Sequence, residues 1–119
     1  MSDKNTVLVV DDNRPLADGF ARALASDYDV RTAYTFTEAR ESLTPSVDVV
    51  LLDRHLPDGS GDDLLDEIRQ GDHDYRIAVV SASSPSPDLD CDAYLTKPVG
   101  ETDVLHETVS DLLGGTISS

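Results

Sequence analysis

Short apolar runs that end abruptly on polar residues narrow the fold of this chain more than any other feature. Val47–Leu52 holds five apolar residues in six and ends on Asp53, after which Leu56-Pro57-Asp58-Gly59 turns the chain. Thr6–Val10, TVLVV, is apolar on both faces, and Arg76–Val80, RIAVV, repeats the pattern. A strand without a polar face must be covered on both sides, as the central strands of a parallel sheet are. Taken alone, Asp53 reads equally well as the opener of a turn and as a functional acid.

Helical patterns separate these runs. Asn13 can cap a helix that has Pro15 in its first turn and Leu16, Phe20, Ala23 and Leu24 at helical spacing, ending near Ala25. Tyr28–Thr32 carries Asp29 and Arg31, which suit an edge strand. Thr35 with Glu38 predicts a capping box for a second helix to about Leu43, stopped by Pro45. Leu64, Leu65 and Ile68 mark a third helix over Gly61–Gln70, with Gly71-Asp72 as its exit. Beyond Ser81, the segment Ser83–Asp92 contains Pro85 and Pro87 and predicts no regular helix. Ala93–Thr96 predicts a fifth strand, and Val104, Leu105, Val109, Leu112 and Leu113 predict a last helix that Gly114-Gly115 terminates. Alternating strands and helices predict an open parallel sheet with helices on both faces, whose ligand site lies beyond the carboxyl ends of the strands.

Composition excludes several functions. A length of 119 residues fits one domain, and the expectation is a single domain over 1–119 with a core of about 6–114 and a short polar tail. Cys91 is the only cysteine, and it does not stand at zinc-ligand spacing with His55, His73 and His106. A net charge of −15 opposes binding to a phosphate backbone, so no direct nucleic-acid partner is expected. The 24 acidic residues against two lysines, Lys4 and Lys97, have the bias of a salt-accumulating halophile. No run spans a membrane and MSDKNT has no secretion pattern, which predicts a cytoplasmic chain.

Four expected strands end on residues useful to phosphoryl chemistry: Asp11-Asp12, Asp53, Ser81 and Lys97. In a parallel sheet these ends share one edge. Three carboxylates in one place call for a cation between them, and an all-oxygen donor set favours Mg²⁺. Asp53 could then be a nucleophile, Lys97 a charge for the developing phosphoryl oxygens, and Ser81 a donor. Each also has a plain structural role available: a helix cap for Asp11-Asp12, a turn for Ser81, a solvated surface for Lys97. Their coincidence at successive strand ends favours the site.

Through Asp11-Asp12, Asp53-Arg54-His55-Leu56-Pro57 with Gly61, Ser81-Ala82 and Tyr94-Leu95-Thr96-Lys97-Pro98, the chain resembles a response-regulator receiver domain of two-component signalling, over Val7 to about Leu113. The resemblance implies an α/β, flavodoxin-like, doubly wound five-stranded parallel sheet of order 2-1-3-4-5, and phosphorylation of Asp53 by a histidine kinase. It implies Mg²⁺ held directly by Asp12, Asp53 and the main-chain carbonyl of His55, with Asp11 acting mainly through water. It further implies Ser81 as the conserved hydroxyl, Lys97 as the phosphoryl partner, Tyr94 as the rotating switch aromatic, and a cis bond between Lys97 and Pro98. Tyr94 also reads as a plain edge-strand aromatic, and His55 as a surface histidine with no role. The Asp53-Arg54 pair resembles haloarchaeal receivers.

The departure from the family is the segment between Ser81 and Lys97, where the fourth helix is expected to be shortened or missing. Expected partners are a sensor histidine kinase or phosphotransfer protein and an output partner that the sequence does not identify, with the chain a monomer or weak dimer and no output domain of its own. The competing enzyme reading is an aspartyl-phosphate phosphatase. It is weakened because His55 stands where such enzymes favour a second acid.

Overall fold

The computed structural model describes residues 5–71, 73, 75–82, 91–97 and 102–113. In chain order its elements are β1 (Thr6–Val10), α1 (Arg14–Leu24), β2 (Asp29–Ala33), α2 (Phe36–Ser42), β3 (Val49–Leu52), β4 (His55–Leu56), β5 (Gly59–Ser60), α3 (Gly61–Gln70), β6 (Arg76–Ser81), β7 (Ala93–Thr96) and α4 (Thr102–Leu112). Five strands form one parallel sheet in the order β2-β1-β3-β6-β7, which is the expected 2-1-3-4-5 once the short β4–β5 hairpin is set aside.

The apolar runs occupy the middle of that sheet because their side chains need cover on both faces. β1 and β3 are buried throughout, whereas β2 alternates between exposed and half-buried residues, as an edge strand does, until the buried Ala33 at its end. Alternate residues divide the core in two. Leu8, Val10, Val50, Leu52, Ile77 and Val79 meet Ala39 of α2 and Leu64, Leu65 and Ile68 of α3. Val7, Val9, Val49, Leu51, Ala78 and Val80 meet Ala17, Phe20 and Leu24 of α1 and Leu105 and Val109 of α4. No helix among the described residues is long and apolar enough to cross a membrane.

Local chemistry sets the element ends. Asn13 caps α1, its side chain accepting from the Leu16 N–H at 3.2 Å. The capping box expected of α2 is only half formed. Thr35 Oγ1 accepts from the Glu38 N–H at 3.0 Å, but Glu38 Oε1 accepts from the N–H of Tyr34, one residue before the cap. β3 begins later than the apolar run, at Val49, because the Val47 N–H is engaged by the Thr44 carbonyl in a turn. β2 likewise starts at Asp29, since the Tyr28 N–H bonds the Leu24 carbonyl at the end of α1.

Leu56-Pro57-Asp58-Gly59 does turn the chain, but inside a hairpin that sequence reading does not resolve, with His55 opposite Ser60 and Leu56 opposite Gly59. Asp58 at its tip accepts from the Phe36 and Thr37 N–H groups at 2.6 and 3.2 Å and from Thr37 Oγ1 at 2.8 Å, fastening the hairpin to the start of α2. The hydroxyl of Thr37 and the two backbone donors hold the Asp58 carboxyl below its usual range. Gly61 closes the turn: its N–H bonds the Arg54 carbonyl at 2.7 Å, and a Cβ there would fall on the Asp53 carbonyl and the Arg54 Cα. The expectations for the fourth helix at 83–90, for Pro98 and for the terminating Gly114-Gly115 with its tail lie outside the described residues.

Candidate functional site

The sheet register assembles the site. Val10 pairs with Leu52, so the residues that follow them, Asp11 and Asp53, emerge side by side at the carboxyl edge. The ladder continues one step past each strand: the Asp53 N–H bonds the Val10 carbonyl at 2.9 Å, and the Asp11 N–H bonds the Ala33 carbonyl at 3.1 Å. Ser81 pairs with Thr96, and the Lys97 N–H bonds the Ser81 carbonyl at 2.8 Å, which brings Lys97 to the same edge.

Asp11, Asp12 and Asp53 each offer a carboxylate oxygen within 4.8 Å of the others'. Asp11 and Asp53 are buried, Asp12 faces solvent, and Ser81 is fully buried at the end of β6. Lys97 Nζ lies 2.7 Å from Asp11 Oδ2 and 3.4 Å from Asp53 Oδ2. The other Asp53 oxygen accepts from the His55 N–H at 3.3 Å, and Asp11 Oδ1 accepts from the Asn13 N–H at 2.9 Å.

These surroundings raise the proton affinity of both Asp53 and Lys97, for different reasons. Burial, and then the neighbouring Asp11 charge, push the Asp53 carboxyl above its usual range, more than Lys97 and the His55 N–H pull it down. Burial alone would lower the Lys97 ammonium, yet the bond to Asp11 and the charges of Asp11 and Asp53 leave it raised and firmly protonated. One cation among three carboxylates leaves a net negative pocket with solvent access at Asp12. An all-oxygen donor set that carries excess negative charge fits a hard divalent cation such as Mg²⁺.

Tyr94 lies in β7, half-buried against the α2–α3 side of the core. Its hydroxyl accepts from Arg54 Nη1 at 3.5 Å. Arg54, which the sequence marks only by its resemblance to haloarchaeal receivers, also grips Asp62 with two bonds, Nε to Oδ1 at 2.9 Å and Nη2 to Oδ2 at 2.8 Å. Those bonds, chiefly to Asp62, raise the guanidinium's proton affinity further. Arg54 precedes the hairpin and Asp62 follows it in α3, so no periodicity of a single element links them and this pairing has no sequence signal. His55 is exposed, and the bond it gives Asp53 comes from its backbone rather than its ring.

With the geometry in view, the response regulator receiver domain family matches residues 7–110. The chain belongs to that family. The receiver is 46% identical over 114 residues to a Haloferax volcanii protein described as a candidate transcriptional regulator, covering 92% of this chain and 19% of that one. It is 36% identical over 107 residues to the transcriptional regulatory protein VxrB of Vibrio cholerae, covering 85% of this chain and 43% of that one. The receiver therefore spans less than half the length of either relative. Among solved structures, response regulator protein TrrA of Thermotoga maritima, in complex with Mg(2+)-BeF, superposes with a TM-score of 0.79 at 31% identity, over 91% of this chain and 98% of that one. The flavodoxin-like fold and the haloarchaeal affinity expected from sequence both stand.

Proposed function

We propose that this receiver is a Mg²⁺-dependent phosphoacceptor, phosphorylated on Asp53 by a sensor histidine kinase or a phosphotransfer protein, that signals by changing conformation. The observation that carries the reading is the Asp53 carboxylate, buried at the end of a central strand beside two further carboxylates, with the Lys97 ammonium 3.4 Å away. An Asp53 oxygen attacks the phosphorus of a phosphohistidine; the P–O bond forms, the P–N bond breaks, and the electron pair returns to the imidazole nitrogen. Asp12, Asp53 and the His55 main-chain carbonyl would hold Mg²⁺ directly, with Asp11 acting mainly through water. The ion, when bound, neutralises the crowded carboxylates and the phosphoryl oxygens.

The protein's own groups do the rest. The His55 N–H fixes one oxygen of Asp53 and so orients the other. Lys97, bonded to Asp11 at rest, is close enough to turn its charge onto the incoming phosphoryl oxygens. The Ser81 hydroxyl donates to another of those oxygens, and Tyr94 moves into the space that Ser81 leaves. We take 1–119 as one such domain, cytoplasmic with its kinase, monomeric or weakly dimeric, and without direct contact to nucleic acid or membrane. Its output passes to a partner or to a further domain of a regulator like its longer relatives.

The test is treatment with acetyl phosphate and Mg²⁺ in high salt, followed by intact mass. A single phosphoryl adduct that Asp53→Asn abolishes is the expected result. A folded protein that takes no adduct at saturation, or one that rapidly turns over many phosphate esters, would overturn it; the second outcome would mark a phosphatase.

A further inference from the structure

We infer that Arg54 is a positioning residue that ties the Tyr94 hydroxyl to the end of β3 and the start of α3 while the site is unphosphorylated, an inference that rests on reading Asp53 as the phosphoacceptor. Three segments meet at its guanidinium. Arg54 directly follows Asp53; Asp62, in the first turn of α3, accepts from Nε and Nη2 at 2.9 and 2.8 Å; and Nη1 reaches Tyr94 Oη of β7 at 3.5 Å. A flexible surface arginine would sample many directions. Here the two parallel bonds to one carboxylate fix the plane of the fork, and that plane aims the remaining nitrogen at the Tyr94 hydroxyl. The arginine side chain is only 18% exposed.

The backbone beneath the fork is equally constrained. Gly61 bonds the Arg54 carbonyl at 2.7 Å and sits so close that a Cβ would meet the Arg54 Cα and the Asp53 carbonyl. The peptide linking Asp53 to Arg54 is thus clamped to the start of α3, one residue before Asp62. A displacement of Asp53 as it gains a phosphoryl group is passed through that peptide to the guanidinium, and from there to the tyrosine on a different strand. The two ends of the tether differ in strength. The Asp62 pair is short and charge-assisted, while the tyrosine contact is long, so the tyrosine end is the one that releases. Tyr94 is therefore restrained by a contact weak enough for one modification to break, while the guanidinium stays attached to α3 through Asp62.

The test uses the whole chain labelled with 3-fluorotyrosine, whose four tyrosines give four fluorine resonances, with that of Tyr94 assigned by Tyr94→Phe. Spectra are recorded without ligand and with Mg²⁺ and beryllium fluoride as the phosphoryl mimic. Arg54→Met is expected to move the unloaded Tyr94 resonance toward its loaded position while leaving Tyr28, Tyr34 and Tyr75 in place. It should also lower the beryllium fluoride needed for half saturation by about two- to tenfold, the range of one hydrogen bond. In the Tyr94→Phe background that gain should vanish. Asp62→Asn, which loosens the fork from its far end, should move Tyr94 in the same direction and serves as the readout if Arg54→Met does not fold. A Tyr94 resonance unmoved in a folded Arg54→Met protein that still binds beryllium fluoride, or an equal gain with and without the Tyr94 hydroxyl, overturns this inference alone. A wild-type protein that neither binds the mimic nor takes an Asp53 adduct overturns the phosphoacceptor reading together with it.

Discussion

Lys97 Nζ stands 2.7 Å from Asp11 Oδ2, closer than to Asp53 Oδ2 at 3.4 Å. The lysine therefore belongs chiefly to Asp11 rather than to the proposed phosphoacceptor, and its partial hold on Asp53 leaves that carboxylate only partly compensated. Lys97→Met would leave two buried carboxylates facing each other without a counter-charge. Removing one partner of a fully buried pair costs about 3–5 kcal/mol, and the partial exposure of Lys97 reduces this to about 2 kcal/mol. Urea denaturation in metal-free buffer should show that loss, and Mg²⁺ should recover part of it.

Asp53→Asn should have the opposite effect. Burial and Asp11 raise the native Asp53 carboxyl above its unfolded value. A group raised in this way contributes stability that is fully present below its unfolded pKa and lost as pH rises through the folded value, because the native state binds the extra proton. At neutral pH the ionised Asp53 is a net burden on the metal-free fold, so Asp53→Asn should raise Tm there. The gain should shrink as pH falls through the carboxylate range. A Tm difference that is independent of pH would contradict the stated cause.

Asp58 gives the reverse pH signature. The Thr37 hydroxyl and the Phe36 and Thr37 N–H groups lower its pKa, so its contribution is present above the unfolded value and lost as pH falls through the folded one. In Asp58→Ala the acid limb of the Tm profile should flatten, with amide exchange at Phe36 and Thr37 accelerated.

Gly61→Ala tests whether the turn positions Asp53. The added methyl would meet backbone atoms of Asp53 and Arg54, neither of which can rotate away. Overpacking of this kind costs about 1–3 kcal/mol. Because the displaced atoms carry the candidate nucleophile, the rate of phosphoryl uptake should fall further than the loss of stability explains. Comparing adduct formation well below the Tm of both proteins separates the two effects.

The charge of −15 predicts a stability that rises with salt. The Debye length falls from about 10 Å at 0.1 M to about 3 Å at 1 M, which removes most of the repulsion between surface carboxylates. Thermal melts from 0.1 to 2 M KCl should show a rising Tm, and neutralising a few exposed acids should blunt the slope.

Most of the fold, and the gathering of Asp11, Asp12, Asp53 and Lys97 at one edge of the sheet, were legible in the sequence, and the reason is local. A strand buried on both faces must be apolar along its whole length, so β1, β3 and β6 announce themselves, and the polar residue that ends each run marks the carboxyl edge. Parallel pairing of the strands then brings Asp11, Asp12, Asp53 and Lys97 to that edge whatever the details of packing. Tertiary structure alone decided which charges pair there. That Lys97 prefers Asp11, that Asp58 caps α2 from a distant hairpin, and that Arg54 spans Asp62 and Tyr94 are all outcomes of side chains meeting groups of other segments with no fixed spacing in the chain. Periodicity encodes which way a residue faces relative to its own element. The partner it finds there depends on how the elements are placed against one another, to within an ångström, by the packing of both cores.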